Sequence, residues 1–170
     1  MTKQFPANKV ALLSLILFLF SLTSRAQRDG DLDSAFNANT ALFTADFGGQ
    51  DNLNDVKIQA DGKIVATGVA LTPAFTGELK VIRLNDDGTP DNNFGTNGIF
   101  TFSQTNEAYG IQSYIRTDGK IVVAGLASLV MGYYDFLVLR LNDNGTIDST
   151  LEQTVTRLSH LQISMILRRR

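Results

Sequence analysis

The chain contains no cysteine and no tryptophan, and its one histidine is His160. Without cysteine, the protein can form neither a disulfide framework nor a thiolate metal site. One histidine argues against a catalytic triad or a metal centre built on imidazole side chains. The sequence also lacks a glycine-rich phosphate loop and a nucleophile elbow, so it predicts no catalytic residues.

Glycine is missing from both ends of the chain, because all 14 glycines lie between Gly30 and Gly145. Charge divides the chain in a similar way. Residues 1–26 carry three basic and no acidic residues, residues 27–150 carry 8 basic and 16 acidic residues, and residues 151–170 carry four arginines and one glutamate. The acidic middle segment argues against nucleic-acid binding there.

The first 26 residues have the pattern of a secretory signal peptide. Lys3 and Lys9 precede an apolar run of about 13 residues, which is short for a membrane span of roughly 20. Small residues at Ser24 and Ala26 predict cleavage before Gln27. The alternative is an uncleaved anchor helix.

One motif occurs twice: Asp61-Gly62-Lys63-Ile64-Val65 returns unchanged as Asp118-Gly119-Lys120-Ile121-Val122. The shift is 118 − 61 = 57 residues. Alignment at this period predicts repeat 1 over residues 27–87, repeat 2 over residues 88–144 and a truncated third repeat over residues 145–170. A fixed period of this length indicates a repeat architecture.

Each repeat is predicted to contain four short strands, because runs of β-branched and aromatic residues alternate with glycine-rich and Asx-rich turns. The predicted strands of the two repeats, paired in order, are Leu42–Phe47 with Ile99–Ser103, Asp55–Ala60 with Gly110–Thr117, Lys63–Thr67 with Lys120–Ala124, and Leu79–Leu84 with Asp135–Leu141. Asp61-Gly62 and Asp118-Gly119 are predicted structural turns, two-residue hairpins of type I′ that set strand register.

These elements predict an all-β fold with two four-stranded antiparallel propeller-type blades and an incomplete third blade, after an N-terminal signal helix. The period exceeds that of kelch and WD40 blades, which are about 50 and about 40–45 residues long. A β-solenoid is the structural alternative, although its repeat is usually shorter.

The repeated motifs resemble those of the delta-60 repeat family over about residues 28–150. The resemblance rests on Gly30–Phe36, Asp61–Gly68, Arg83–Gly98 and their second copies. It implies a secreted or surface bacterial protein whose tandem repeats form a β-propeller. The family offers no established activity and no catalytic residues, and its members commonly carry many more repeats.

The third repeat departs from the pattern at Leu151, where Phe-Gly-Thr-Asn-Gly is expected. For one choice of codons, a one-base shift of the reading frame restores those five residues, so we hypothesise a frameshift from residue 151. The alternative is a genuine basic helix with Leu158, Leu161, Met165 and Ile166 on one face. Sequencing the gene tests the hypothesis, which fails if no repeats continue in the neighbouring frame.

The acidic turns are weak candidates for calcium binding, because Ca²⁺ favours oxygen-rich loops. The candidate ligands are Asp86, Asp87, Asp91, Asp143 and Asp148. They do not have EF-hand spacing, and the competing interpretation is ordinary Asx-turn chemistry. Calcium is therefore the one cofactor considered. Arg83 and Arg140 are predicted to pair with acidic turns.

Five aromatic residues of repeat 2 are open to two interpretations. They could line a sugar-binding surface, or they could pack within and between blades, which the pattern favours. The residues are Tyr109, Tyr114, Tyr133, Tyr134 and Phe136.

The sequence as a whole favours a secreted or cell-surface repeat protein with a non-catalytic binding or scaffolding role. The expected partner is a protein or a glycan, with no nucleic acid and no membrane after signal cleavage. The alternatives are part of a propeller enzyme, such as a hydrolase or lyase, and a calcium-binding module. Two blades leave an apolar face exposed, so the isolated chain is expected to self-associate.

The signal-peptide interpretation predicts export and cleavage. When the full chain is expressed in a secreting bacterium, intact-mass spectrometry of the exported protein should show a chain that begins at Gln27. Replacing Leu15 and Leu17 by Arg should block export, because it breaks the apolar run. Recovery of a chain that retains residues 1–26 would contradict the cleavage site.

Overall fold

A computed structural model describes residues 30–103, 105–130 and 132–150. The chain divides into the units Met1–Asp33 and Ser34–Arg170. Of the first unit only residues 30–33 are described, and they are irregular. The predicted signal helix and the tail from residue 151 lie outside the described residues. None of the helices in the described part of the chain has the length and apolarity needed to span a membrane.

The second unit contains two antiparallel sheets and one helical turn, α1, at Phe36–Asn39. Sheet 1 has the order β1-β2-β3-β4, and sheet 2 has the order β5-β6-β7. The strands of sheet 1 are Asp51–Ile58, Ile64–Leu71, Gly77–Leu84 and Ile99–Phe102, and those of sheet 2 are Glu107–Ile115, Ile121–Val130 and Tyr133–Leu141. Neighbours in each sheet follow one another in the chain, so both sheets are simple meanders. The all-β prediction is confirmed.

The two sheets repeat each other in detail as well as in outline. The first hairpin of each has a bulge at the same place, between Leu53 and Asp55 in sheet 1 and between Gly110 and Gln112 in sheet 2. Opposite each bulge, a glycine allows close strand approach, since a Cβ at Gly68 would lie 2.1 Å from the Asn52 carbonyl oxygen. The bulge is therefore part of the repeat.

The predicted type I′ turns are wrong. Gln59 N donates to the carbonyl of Lys63, and Gly62 N donates to the carbonyl of Gln59, which closes a three-residue loop. Gly62 has a φ of +86°, whereas Asp61 is not in the left-handed region. This is a type I turn followed by a glycine bulge, a hairpin in which only the glycine needs positive φ. Asp118 and Gly119 form the same loop in sheet 2.

Leu42–Phe47 is not a strand, although the sequence predicted one. Its equivalent in repeat 2 begins at Ile99, and that segment, β4, pairs with β3 of repeat 1 rather than with a strand of its own repeat. A sheet therefore takes its fourth strand from the following repeat. Among the described residues no strand precedes Leu42 to pair with it, which explains why the segment stays outside the sheet.

The core lies between the sheets. Val65, Leu79 and Val81 of sheet 1 are fully buried, as are Ile121 and Leu139 of sheet 2. Each such side chain contributes about 1.5–3 kcal/mol relative to an exposed position. The first strand of sheet 2, β5, lies against β1, β2 and β3 of sheet 1.

An aromatic ring fixes the turn that follows each sheet. Phe94, which is fully buried, packs on Gly145, and a Cβ added at Gly145 would lie 2.6 Å from the backbone nitrogen of Gly95 and 3.0 Å from the Phe94 ring. Phe36 packs on Gly88 in the equivalent way, with a Cβ at 2.5 Å from the ring. These glycines leave room for the rings.

The two kinds of glycine turn should differ in their tolerance of alanine. Gly119→Ala adds only left-handed backbone strain, because the nearest atom to a new Cβ is 3.6 Å away. We expect it to cost about 1–2 kcal/mol. Gly145→Ala adds the clash with Gly95 and Phe94 and should cost about 1–3 kcal/mol more. Urea unfolding followed by far-ultraviolet circular dichroism at one protein concentration measures both. Equal losses would contradict a steric role for Gly145.

Candidate functional site

Two of the acidic turn residues meet at one buried arginine. The side chain of Arg83, on β3, is 3% exposed. Its Nε donates to Asp91 Oδ2 at 2.9 Å, and its Nη1 donates to Asp143 Oδ1 at 2.8 Å. The guanidinium also lies 4.7 Å from the centre of the Phe94 ring. Because Asp143 follows sheet 2, this ion pair joins the two sheets, and the predicted pairing of Arg83 is confirmed.

Arg140 repeats this pairing in sheet 2. Its Nε donates to Asp148 Oδ2 at 2.7 Å, and Lys120 Nζ donates to the same oxygen at 2.7 Å. The Asp148 side chain is only 4% exposed. Hydrogen bonds from Lys120, Thr150 and Arg140 hold the pKa of the Asp148 carboxyl well below its usual range. The predicted pairing of Arg140 is also confirmed.

The other two calcium candidates lie on the surface. Asp87 accepts hydrogen bonds from the hydroxyl and the backbone nitrogen of Thr89, which lower its pKa. Asp86 is exposed on the same turn. The described residues contain no group of three or more side chains that could hold a metal ion. Calcium binding stays a prediction, on carboxylates that here serve turns and ion pairs.

A second polar contact joins the first strands of the two sheets. Asp55 Oδ2, on β1, accepts hydrogen bonds from the backbone nitrogen of Ser113 at 2.7 Å and from its hydroxyl at 2.8 Å. Asn54 Nδ2, at the bulge of β1, donates to the carbonyl of Gly110 at 2.7 Å. The pairing of the sheets is thus fixed by polar contacts at β5 as well as by the core.

The aromatic residues of repeat 2 do not pack inside the described chain, so the favoured interpretation is wrong for most of them. Tyr114 and Phe136 are each 64% exposed, and Tyr133 and Tyr134 are also exposed. Tyr109 is half-buried and meets Tyr134 edge to face, with ring centres 5.7 Å apart. The hydroxyl of Tyr134 donates to Glu107, which raises the pKa of Tyr134.

These side chains belong to one exposed apolar surface on sheet 2. Strand register places Tyr109 beside Leu126 and Phe136, Gln112 beside Ala124 and Val138, and Tyr114 beside Val122 and Arg140. We call this surface the outer face of sheet 2; it consists of Tyr109, Gln112, Tyr114, Val122, Ala124, Leu126, Phe136, Val138 and Arg140. It faces away from the buried row that includes Ile121, Val123 and Leu139.

The outer face of sheet 2 is equivalent to the buried face of sheet 1. At the shift of 57 residues, Val122 corresponds to Val65, Phe136 to Leu79 and Val138 to Val81. All three residues of sheet 1 are fully buried, whereas Phe136 and Val138 are 64% and 42% exposed. The same face of the repeat is therefore covered in sheet 1 and open to solvent in sheet 2.

Sequence reasoning missed this face, although the sequence carried a signal for it. The apolar residues of β6 and β7 do not alternate with polar ones, so both faces of sheet 2 are apolar. Such strands are expected to be buried on both sides. Which face lacks cover depends on how the repeats stack, and the period alone does not specify this.

The Asp148 pairing predicts acid sensitivity. Because its pKa is lowered from an unfolded value of about 3.9, the carboxylate stabilises the fold above about pH 4. This stabilisation is lost as the pH falls through the folded pKa. Asp148→Asn should therefore be less stable than the unchanged chain at pH 5–7, and the difference should shrink below about pH 4.

Urea midpoints measured from pH 7 to pH 2 check this expectation. Asp118→Asn is the matched control, because it removes an exposed pair with Arg116 and should change little at any pH. A stability gap for Asp148→Asn that does not vary with pH would contradict the ionic role of this carboxylate.

Comparison with known proteins agrees with the geometry of the repeats. Residues 59–94 and 116–151 each match a family described as a β-propeller domain of unknown function, DUF5122. Each match runs from the Asp-Gly hairpin to the end of the acidic turn that follows the sheet, so both matches cover the same part of the repeat. None of the curated proteins matches the chain. Two matches in tandem, on two sheets of equivalent structure, support a propeller-type repeat family.

Proposed function

We propose that the protein is a secreted or cell-surface β-propeller repeat protein with a non-catalytic binding or scaffolding role. The observation that carries this proposal is the exposed outer face of sheet 2. A contiguous apolar face of this kind on a folded protein marks an interaction surface. The signal-like segment before Gln27 supports a site outside the cell.

The chemistry of the face favours a protein partner over a glycan. Val122, Ala124 and Val138 occupy its middle and offer no hydrogen bonds to sugar hydroxyls. Tyr114 and Phe136 lie in different rows, separated by the row that contains Ala124. Aliphatic residues between aromatic ones match the hydrophobic centre of a protein interface.

The acidic residues support a structural rather than a catalytic role for the turns. Asp91 and Asp148 are buried, and each is paired with an arginine that holds its position in the sheet. General acid or base chemistry requires a carboxyl within reach of substrate. The propeller-enzyme alternative draws no support from these two side chains.

Dye binding tests whether the outer face of sheet 2 is an accessible binding surface. The full chain should enhance the emission of anilinonaphthalene sulfonate, and Phe136→Asp should remove most of the enhancement by placing a charge in the apolar face. Phe75→Asp is the matched control, because Phe75 is 81% exposed in the loop between β2 and β3. Equal emission from the two variants would contradict the proposal.

Tyrosine emission then distinguishes protein from glycan ligands. The chain has no tryptophan, and all four tyrosines lie in repeat 2, so its fluorescence reports on this region. Chitohexaose and cellohexaose should leave the emission unchanged. A saturable change that Tyr114→Ala abolishes would replace the protein partner by a glycan.

A further inference from the structure

Strand β7 has a free edge where its counterpart in sheet 1 has a neighbour. β3 pairs with β2 on one side and with β4 on the other, over Leu79–Ile82. β7 pairs with β6, and within residues 132–150 and the other described ranges no strand lies on its second side. The equivalent edge, Phe136–Leu139, therefore presents unpaired backbone groups. Such an edge is a template for an added strand.

The chain also contains a strand-like segment that has no sheet. Leu42-Phe43-Thr44-Ala45 corresponds, at the shift of 57, to Ile99-Phe100-Thr101-Phe102, which is β4. The first three positions match in side-chain type. Leu42–Ala45 makes no backbone hydrogen bond to a strand in the described structure, and Leu42 is 54% exposed.

Both segments have the same anchor in front of them. Before β4, the Phe94 ring packs on Gly145, and Gly95 N donates to the carbonyl of Asn144 at 2.9 Å. The segment from Phe94 to Phe102 thus holds the turn after sheet 2 at one end and the edge of sheet 1 at the other.

The earlier segment repeats the first half of this arrangement. The Phe36 ring packs on Gly88, and Asn37 N donates to the carbonyl of Asp87 at 2.6 Å. Phe36 therefore holds the turn after sheet 1 as Phe94 holds the turn after sheet 2. By the same geometry, Leu42–Ala45 should lie on the edge of a sheet stacked against the other side of sheet 1.

The outer face of sheet 1 suits such a sheet. It contains Ile58 and Val56, which are 72% and 48% exposed, and the half-buried Ile64, Ala66 and Ile82. At the shift of 57 these correspond to Ile115, Ser113, Ile121, Val123 and Leu139, which lie on the face that sheet 2 packs against sheet 1. One chain therefore carries both halves of its own sheet-to-sheet interface, each open to solvent.

Charge follows the same correspondence. Within the chain, Arg83 of sheet 1 reaches Asp143 in the turn after sheet 2. Their equivalents are Arg140, on the outer face of sheet 2, and Asp86, which is exposed in the turn after sheet 1. Stacking sheet 2 of one copy on sheet 1 of another would bring this second pair together.

We propose that the protein associates head to tail with a second copy of itself. The outer face of sheet 2 packs on the outer face of sheet 1 of the next copy, and Leu42–Ala45 of that copy becomes the fourth strand of sheet 2. The register follows from β3 and β4: Phe43 lies opposite Val138, as Phe100 lies opposite Val81. This inference rests on the proposed function, because it uses the same face and names its partner.

The contact is heterologous, so it continues from copy to copy until a ring closes. Closed propellers have about 4–8 blades, which about two to four copies with two sheets each would supply. A closed ring leaves no sheet edge and no outer face exposed, which gives the assembly a defined size.

Proline at position 43 tests the added strand. Arg83 N donates to the carbonyl of Gly98, so the alternation of an antiparallel pair directs the N–H of Phe100 towards β3. The N–H of Phe43 should point towards β7 in the same way. Phe43→Pro removes this donor, and we expect association to weaken at least about tenfold. Phe43→Val keeps the donor and the strand propensity and should associate like the unchanged chain.

Sedimentation velocity of the full chain and its variants provides the measurement. The unchanged chain should form a discrete oligomer, Phe136→Asp should dissociate it, and Phe75→Asp should not. A monomer at all concentrations, or an oligomer indifferent to both Phe43→Pro and Phe136→Asp, would overturn the proposal. A monomer that still binds the dye through Phe136 would overturn only the head-to-tail assembly and leave the proposed function in place.

Cross-linking tests the register directly, since the chain has no cysteine of its own. A chain with Phe43→Cys and a chain with Val138→Cys are mixed and treated with a short bismaleimide. The mixed pair should cross-link in higher yield than Phe75→Cys mixed with Val138→Cys. Equal yields would contradict the register. Cross-linking of Val138→Cys to an added cysteine at Leu158 of the same chain would show that the tail occupies this edge instead.

Discussion

Each sheet of this protein has two apolar faces, and only burial against another sheet removes both from water. Val65 and Leu79 on one face of sheet 1 are fully buried because sheet 2 covers them. Ile58 on the opposite face is exposed. A repeat of this kind gains its stability from its neighbours rather than from its own contacts. The bulges, the glycine turns and the buried ion pairs serve mainly to hold successive sheets in one orientation.

The polar contacts between the sheets are few but specific. Arg83 reaches a carboxylate of the next repeat, and Asp55 reaches the backbone and hydroxyl of Ser113. A buried arginine without its partner would leave an uncompensated charge, which is far more costly than a lost surface pair. These contacts therefore discriminate against sheets stacked in a slipped or reversed orientation, which the apolar core alone would tolerate.

The period of 57 residues, the β content and most strand positions could be predicted from the sequence, because they depend on local alternation and on glycine and Asx turns. The pairing of Arg83 and Arg140 with acidic turns followed from the same repeated residues. The turn at Asp61-Gly62 was predicted with the wrong geometry, since two neighbouring residues do not reveal whether Gln59 and Lys63 close the loop. Leu42–Phe47 was predicted as a strand because its side chains suit one. Whether a strand forms depends on a partner elsewhere, and local pattern does not report that.

The sharing of β4 between repeats has a consequence for how the protein folds during synthesis. Sheet 1 cannot be completed until Ile99–Phe102 has left the ribosome, well after its third strand has ended at Leu84. During that interval the backbone edge of β3 stays uncovered, and translation adds about 5–20 residues each second. Each new repeat thus completes the sheet before it, and the nascent chain always ends in one unfinished sheet.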